Sequence, residues 1–158
     1  GAAYWQYFEQ IDKVIKQQTS LSVDKKLFLE MSTDSGLVLM PVEKNQIIKT
    51  GDKLVVRLVV KTDRNLEFVH LSDTRATGLE PVSNLSGYMY SGGLGYYHQI
   101  TDVGSDFFIR YMQKGTYVLE YGLYVTQKGA FVDGMATIQS MYAPEFAAHS
   151  TGGKIVVE

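Results

Sequence analysis

The stretch Lys53-Leu54-Val55-Val56-Arg57-Leu58-Val59-Val60-Lys61-Thr62 decides the fold. Successive side chains of a strand face opposite sides of a sheet, so a period of two marks a strand with one buried face. Here Leu54, Val56, Leu58 and Val60 make the apolar face, while Lys53, Arg57 and Lys61 punctuate the other. Residues 115–126 repeat the pattern, with Tyr117, Leu119, Tyr121, Leu123 and Val125 alternating with Thr116, Glu120, Gly122 and Thr126.

Working outward, short β-branched or aromatic runs predict further strands at 4–9, 26–32, 37–42, 67–73, 96–102, 106–112, 135–141 and 154–158. Turn signals separate them, among them Asp34-Ser35-Gly36, Thr50-Gly51-Asp52, Asp63-Arg64-Asn65, Lys114-Gly115, Lys128-Gly129 and Asp133-Gly134. The expectation is an all-β chain folded as an antiparallel β-sandwich with at most one short helix. That helical turn is placed at Glu80–Leu85, with Pro81 suited to a first helical position. Residues 4–15 can also be read at helical spacing through Tyr4, Phe8, Ile11 and Ile15, but the aromatic-rich start favours a strand. The polar, Gln/Lys-rich segment from Asp12 to Asp24 reads as a surface connection, so residues 1–24 form an entry strand and its link.

The 158 residues carry 15 Lys+Arg against 17 Asp+Glu, a net charge of −2, and no cysteine. One domain is expected at this length. The charge balance and the lack of a basic stripe argue against nucleic acid. No apolar run is long enough to span a membrane. The missing thiols exclude a cysteine nucleophile, a cysteine zinc site and a CxxC redox pair. Gly1 reads as a tag remnant and the chain as a fragment of a larger protein.

No motif commits the chain to catalysis, and the expectation is a non-enzymatic domain that needs no cofactor. His70, His98 and His149 lack zinc-ligand spacing. His70 reads as an outward-facing strand residue, and the other two as solvated loop neighbours. Carboxylates such as Asp102 and Asp106, or Glu67 and Asp73, read as a solvated rim at strand ends. No Gly-x-Ser-x-Gly elbow exposes a nucleophile. Asn84-Leu85-Ser86 fits the glycosylation sequon. The Gly-rich run from Ser86 to Gly95 has neither the Gly-Lys-Ser/Thr ending nor the following helix of a phosphate loop. It reads as a long connection whose rings Tyr88, Tyr90, Tyr96 and Tyr97 pack on the sandwich or offer an interdomain or partner contact surface.

The order of segments resembles a known family. Gly51-Asp52-Lys53 opens a strand and is followed by Glu67-Phe68-Val69-His70-Leu71-Ser72-Asp73, Ala76-Thr77-Gly78-Leu79-Glu80-Pro81 and Met141-Tyr142-Ala143-Pro144-Glu145. With Tyr4-Trp5-Gln6-Tyr7-Phe8-Glu9, Lys114-Gly115-Thr116-Tyr117 and Ile155-Val156-Val157, this resembles the C-terminal, receptor-binding-type macroglobulin domain of bacterial alpha-2-macroglobulin family proteins, closest to Bacteroidetes members. The resemblance implies a β-sandwich at the end of a large multidomain protease trap, exported to the periplasm or cell surface. It implies partners in the thioester-type helical domain and neighbouring macroglobulin domains of the parent, which meets target proteases. Thioester chemistry needs a cysteine, so in a parent that retains it that chemistry belongs to another part of the chain. Glu80, Pro81, Tyr142, Pro144 and Glu145 match the family most specifically and take structural roles: prolines at turns, a buried Tyr142 ring and carboxylates capping backbone. The alternative is a stand-alone sandwich that binds glycan or peptide through residues 86–97, which the single Trp5 supports poorly as a sugar platform.

Overall fold

The computed structural model describes residues 21–43, 47–83 and 85–158. The expected strand at 4–9, the first part of the connection after it and Asn84 of the sequon lie outside the described residues.

The chain is an antiparallel sandwich. One five-stranded sheet has the order β2 (Gly36–Pro41), β1 (Leu21–Thr33), β3 (Lys53–Thr62), β9 (Gly115–Val125) and β5 (Leu79–Pro81). The facing six-stranded sheet has the order β12 (Ala147–His149), β11 (Ala136–Ser140), β4 (Leu66–Thr74), β8 (Gly104–Met112), β7 (Leu94–Ile100) and β6 (Gly87–Ser91). A separate ribbon joins β10 (Gly129–Val132) to β13 (Lys154–Val157). No helix is found among the described residues.

The two segments with the strongest alternation become adjacent central strands. β3 pairs with β9 from Lys53↔Tyr124 to Thr62↔Gly115. Leu54, Val56, Leu58 and Val60 are completely buried, against Leu119 and Leu123 from β9 and Leu71, Phe107, Ile109 and Ile138 from the other sheet. Burying each of these aliphatic side chains is worth about 1.5–3 kcal/mol, which makes the β3 face the chief support of the core.

Three expectations are corrected. The strand expected at 26–32 begins at Leu21, so the last part of the supposed connection is core strand: Leu21 and Val23 are buried and pair with Thr62 and Val60. The helical turn expected from Glu80 is instead β5, whose Leu79–Pro81 pairs with Val125–Leu123. Pro81 is tolerated there because β5 is an edge strand and the missing amide faces no partner. The run 86–97 is a tight hairpin, β6–β7, with Tyr88 opposite Tyr97 and a turn in which Gly92 and Gly93 take φ of 60° and 80°.

One irregularity shapes the outer face of the larger sheet. Along β4, Glu67 and Phe68 are exposed in succession, and along β8, Arg110 and Tyr111 are too. The alternation therefore slips by one residue on both strands at the same level, where Phe68 has φ of 53°. A bulky residue in that region is strained. The slip turns Leu66 and Met112 back into the core.

Candidate functional site

The alternation that builds the core also carries polar groups into it. Lys25 follows Leu21 and Val23 on the inner face of β1, Asp73 follows Val69 and Leu71 on β4, and Tyr121 lies between Leu119 and Leu123 on β9. With Asp133 from the loop after β10 they form one network between the sheets. Lys25 Nζ donates to Asp73 Oδ1 at 2.6 Å, Asp133 Oδ1 at 3.1 Å and the Gly134 carbonyl at 3.0 Å. The Tyr121 hydroxyl donates to Asp73 Oδ2. The side chains of Lys25, Asp73 and Asp133 are only 3%, 0% and 9% exposed.

Two carboxylates thus share one ammonium in a largely buried space, and the electrostatics follow. Burial pushes the Asp133 carboxyl above its usual range, against the opposing pull of Lys25. Burial, and then the charge of Asp73, push the Tyr121 phenol well above its ordinary value, so it stays a donor at any physiological pH. Asp73 was expected on a solvated rim; it is buried because its strand remains in phase with Val69 and Leu71. Asp106 does lie on the outer face, where it meets His70 Nε2 at 2.8 Å beneath the stacked Phe108 ring.

His98 was expected near solvent, but it is buried on the inner face of β7. Its ring stacks on Phe107 at 4.4 Å and lies 5.8 Å from Tyr121, and Nε2 has no hydrogen-bond partner among the described residues. Desolvation lowers its pKa, partly offset by the Asp106 carboxylate. His149 is exposed in β12. No group of three or more His, Asp or Glu suited to a metal ion occurs among the described residues.

The four tyrosines of the 86–97 segment divide by strand face. Tyr88 is 89% exposed and packs edge-on against Tyr97 with centroids 5.0 Å apart. Tyr90 is also exposed, over Gly95. Tyr96 points the other way, 5% exposed against Phe107, so its ring belongs to the core. Tyr88 and Tyr97 continue into a shallow outer groove with Phe68, Phe108, Arg110 and Met141.

Of the family-motif positions, Tyr142 reaches this same face. It is not buried as expected: it is 75% exposed and meets Phe68 edge-on at 4.9 Å. Glu80 is exposed in the edge strand β5, Pro144 and Glu145 are exposed in the turn after β11, and neither glutamate caps a backbone amide among the described residues. The structure therefore brings Tyr88, Tyr97 and Tyr142 onto one aromatic surface, while Pro81 lines a different hollow beside Tyr88 and Gly122.

Sequence reasoning missed Lys25, Tyr121 and Asp133 as members of a site. The available signal was a single charged residue in an apolar period-two run, Leu21-x-Val23-x-Lys25-x-Leu27-x-Leu29, matched by Val69-x-Leu71-x-Asp73.

Among the described residues no helix is long and apolar enough to cross a membrane. No protein of curated function matches the chain. Solved structures do match. The chain resembles part of a mutant Salmonella alpha-2-macroglobulin at 18% identity and a TM-score of 0.67, over 87% of this chain and 9% of that one. It also resembles trypsin-activated alpha-2-macroglobulin from Escherichia coli at 14% identity and a TM-score of 0.66, over 88% and 10%. A native Escherichia coli fragment running from domain MG7 to the C-terminus matches at 16% identity and a TM-score of 0.65, over 88% and 23%. These likenesses show the fold, and the chain spans only about a tenth of the longer relatives. The model of the bacterial alpha-2-macroglobulin MG10 domain matches residues 21–145, most of the chain, and the chain belongs to that family.

Proposed function

We propose that this domain is a non-catalytic docking element of a bacterial protease trap, seated on other domains of its parent through the outer aromatic face of the six-stranded sheet. The observation that carries the reading is the convergence of Tyr88, Tyr97 and Tyr142 with Phe68 and Phe108 on that face. Exposed aromatic rings of this kind supply large rigid contact area at low entropic cost, and they are enriched where interfaces are strongest. An intramolecular partner is favoured because the relatives are long multidomain chains of which this chain covers a small part.

In this reading the domain stands near the C-terminus of a Bacteroidetes-like parent, as the match to a fragment running from MG7 to the C-terminus supports. It contacts the thioester-type helical domain and neighbouring macroglobulin domains. The parent is exported to the periplasm or cell surface. When a protease cuts the parent, domains rearrange and the protease is caged, and this module's position differs between the two states.

The test uses the full-length parent. It is mixed with protease, and residual activity is compared on a protein substrate and on a short peptide. Selective loss of protein cleavage is the expected result, and Tyr88→Ala with Tyr142→Ala should weaken it. Equal activity on both substrates overturns the trap. Unchanged protection in the double variant overturns the docking face. Affinity of the 158-residue chain for glycan or peptide, lost in Tyr88→Ala, would favour the stand-alone recognition reading instead.

A further inference from the structure

We propose that Lys25 and Asp73 form an intramolecular amide bond that ties β1 covalently to β4, with Asp133 as the proton carrier and Tyr121 as the donor that holds the reacting carboxyl oxygen.

An amine and a carboxyl group lie 2.6 Å apart, a second carboxyl group lies 3.1 Å from the same nitrogen, and all three are shielded from water. Two reactants held in contact react as one molecule, and such fixed geometry can supply several kcal/mol of the barrier. The carboxyl group is fixed as well. A Cβ at Gly104 would come within 2.1 Å of the Asp73 carbonyl oxygen, and one at Gly134 within 2.2 Å of the Thr74 carbonyl oxygen, so glycine at both places lets two backbones close on the Asp73 segment. The partners come from opposite sheets, which makes the bond a cross-link through the sandwich rather than along one sheet.

The chemistry balances without a co-reactant. One proton passes from Lys25 Nζ by way of Asp133 to Oδ1 of Asp73, leaving an amine that faces a carboxylic acid. Nζ attacks Cγ, and negative charge gathers on Oδ2, to which Tyr121 donates its hydroxyl hydrogen. Asp133 carries a second proton from Nζ to Oδ1, the Cγ–Oδ1 bond breaks and Oδ1 leaves as water. Oδ2 remains as the amide oxygen, and no atom changes oxidation state. Condensation replaces the buried Lys25–Asp73 ion pair with a neutral amide, and Asp133, which loses its ammonium partner, takes up a proton from solvent. Burial also raises the proton affinity of Asp133, as a carrier requires. The chain has no cysteine, so no disulfide could serve as the covalent brace.

The test is a mass measurement on the full chain, purified under native conditions and then denatured. The expected mass is lower than the sequence mass by one water molecule. Trypsin does not cleave after an acylated lysine, so digestion should yield the peptide Gln17–Lys26 joined to Asn65–Arg75. Asp133→Asn, which keeps the side-chain volume, should fold with a wild-type circular dichroism spectrum and retain the full mass. Tyr121→Phe should slow bond formation by about 100-fold. A wild-type chain that keeps its full mass after long incubation at neutral pH, and is cleaved normally at Lys25, overturns the proposal. Gln17–Lys26 joined instead to Gly129–Lys154 overturns the choice of Asp73 as the reacting group. Unslowed bonding in both variants overturns the assigned roles.

Discussion

Replacing Gly104 with alanine tests how tightly the core strands close around Asp73. Gly104 opens β8 directly opposite Thr74. An alanine Cβ there would lie 2.1 Å from the Asp73 carbonyl oxygen and 3.0 Å from its carbon. Carbon and oxygen in ordinary contact stand about 3.3 Å apart, so one backbone must yield by about 1.2 Å. The bonds at risk are those from the Arg75 amide to the Val103 carbonyl at 2.8 Å, from the Thr101 amide to the Gly104 carbonyl at 2.9 Å, and from the Gly104 amide to Thr101 Oγ1 at 3.2 Å. At about 1 kcal/mol for each bond lost, the substitution destabilises the domain by about 3 kcal/mol. With a urea slope of about 2 kcal/mol per molar, the unfolding midpoint read by circular dichroism falls by about 1.5 M. Gly87→Ala is the control: it sits in β6, a Cβ there meets nothing within 4 Å among the described residues, and its midpoint should hold or rise slightly. A Gly104→Ala midpoint within about 0.3 M of the parent, in a measurement whose slope is unchanged, would refute the close approach of β4 and β8.

Further outcomes follow from the same geometry. Tyr88→Ala and Tyr90→Ala should leave stability of the chain within about 0.5 kcal/mol, because neither ring contributes to the core; a larger loss in urea unfolding would move them from contact surface to scaffold. His98 gives a pH dependence. Its folded pKa lies below the unfolded value of about 6.5, so the unfolded chain binds the proton first. The stability His98 allows is complete above pH 6.5 and is lost as pH falls toward its folded value. His98→Phe keeps a ring against Phe107 and removes that loss, so the variant's urea midpoint should fall less than the parent's between pH 7 and pH 5. Asp133 acts with the opposite sign: its raised folded pKa favours the folded state as pH falls toward about 3.8, and it is present in both proteins and cancels in the comparison. Equal falls for parent and variant would place the His98 ring in contact with solvent.

How far the structure was legible in the sequence depended on whether side-chain period alone settled a position. For residues 53–62 and 115–126 it did, since four consecutive inward aliphatic residues leave a strand only one orientation. It failed at Glu80 and Pro81, where proline and polar neighbours suit a helical first turn as well as an edge strand, and pairing to β9 decided between them. It failed at His98 and Asp73 because polarity does not by itself mean exposure. Both lie in phase with apolar neighbours, and phase outweighs polarity when the group finds a partner inside. Lys25 is hidden for a related reason: the expected connection ends at Asp24 and the expected strand begins at residue 26, so the charged member of the inward face of β1 falls between them. The aromatic surface was half legible. The sequence marked Tyr88, Tyr97 and Tyr142 separately, but nothing in their spacing says that β6, β7 and the end of β11 deliver them to one face.

The pairing of β3 with β9 has a consequence for the order in which the domain is made. Between Thr62 and Gly115 the chain passes through the whole of β4, β5, β6, β7 and β8 before the second edge of β3 is covered. At about 5–20 residues per second of synthesis, that interval lasts about 3–10 s. During it β3, with its four fully buried aliphatic side chains, is paired on one side only, with β1, while the strands of the facing sheet are still being made. Closing such a distant pair is intrinsically slow, so the nascent domain stays open to holding factors until Val125 has emerged.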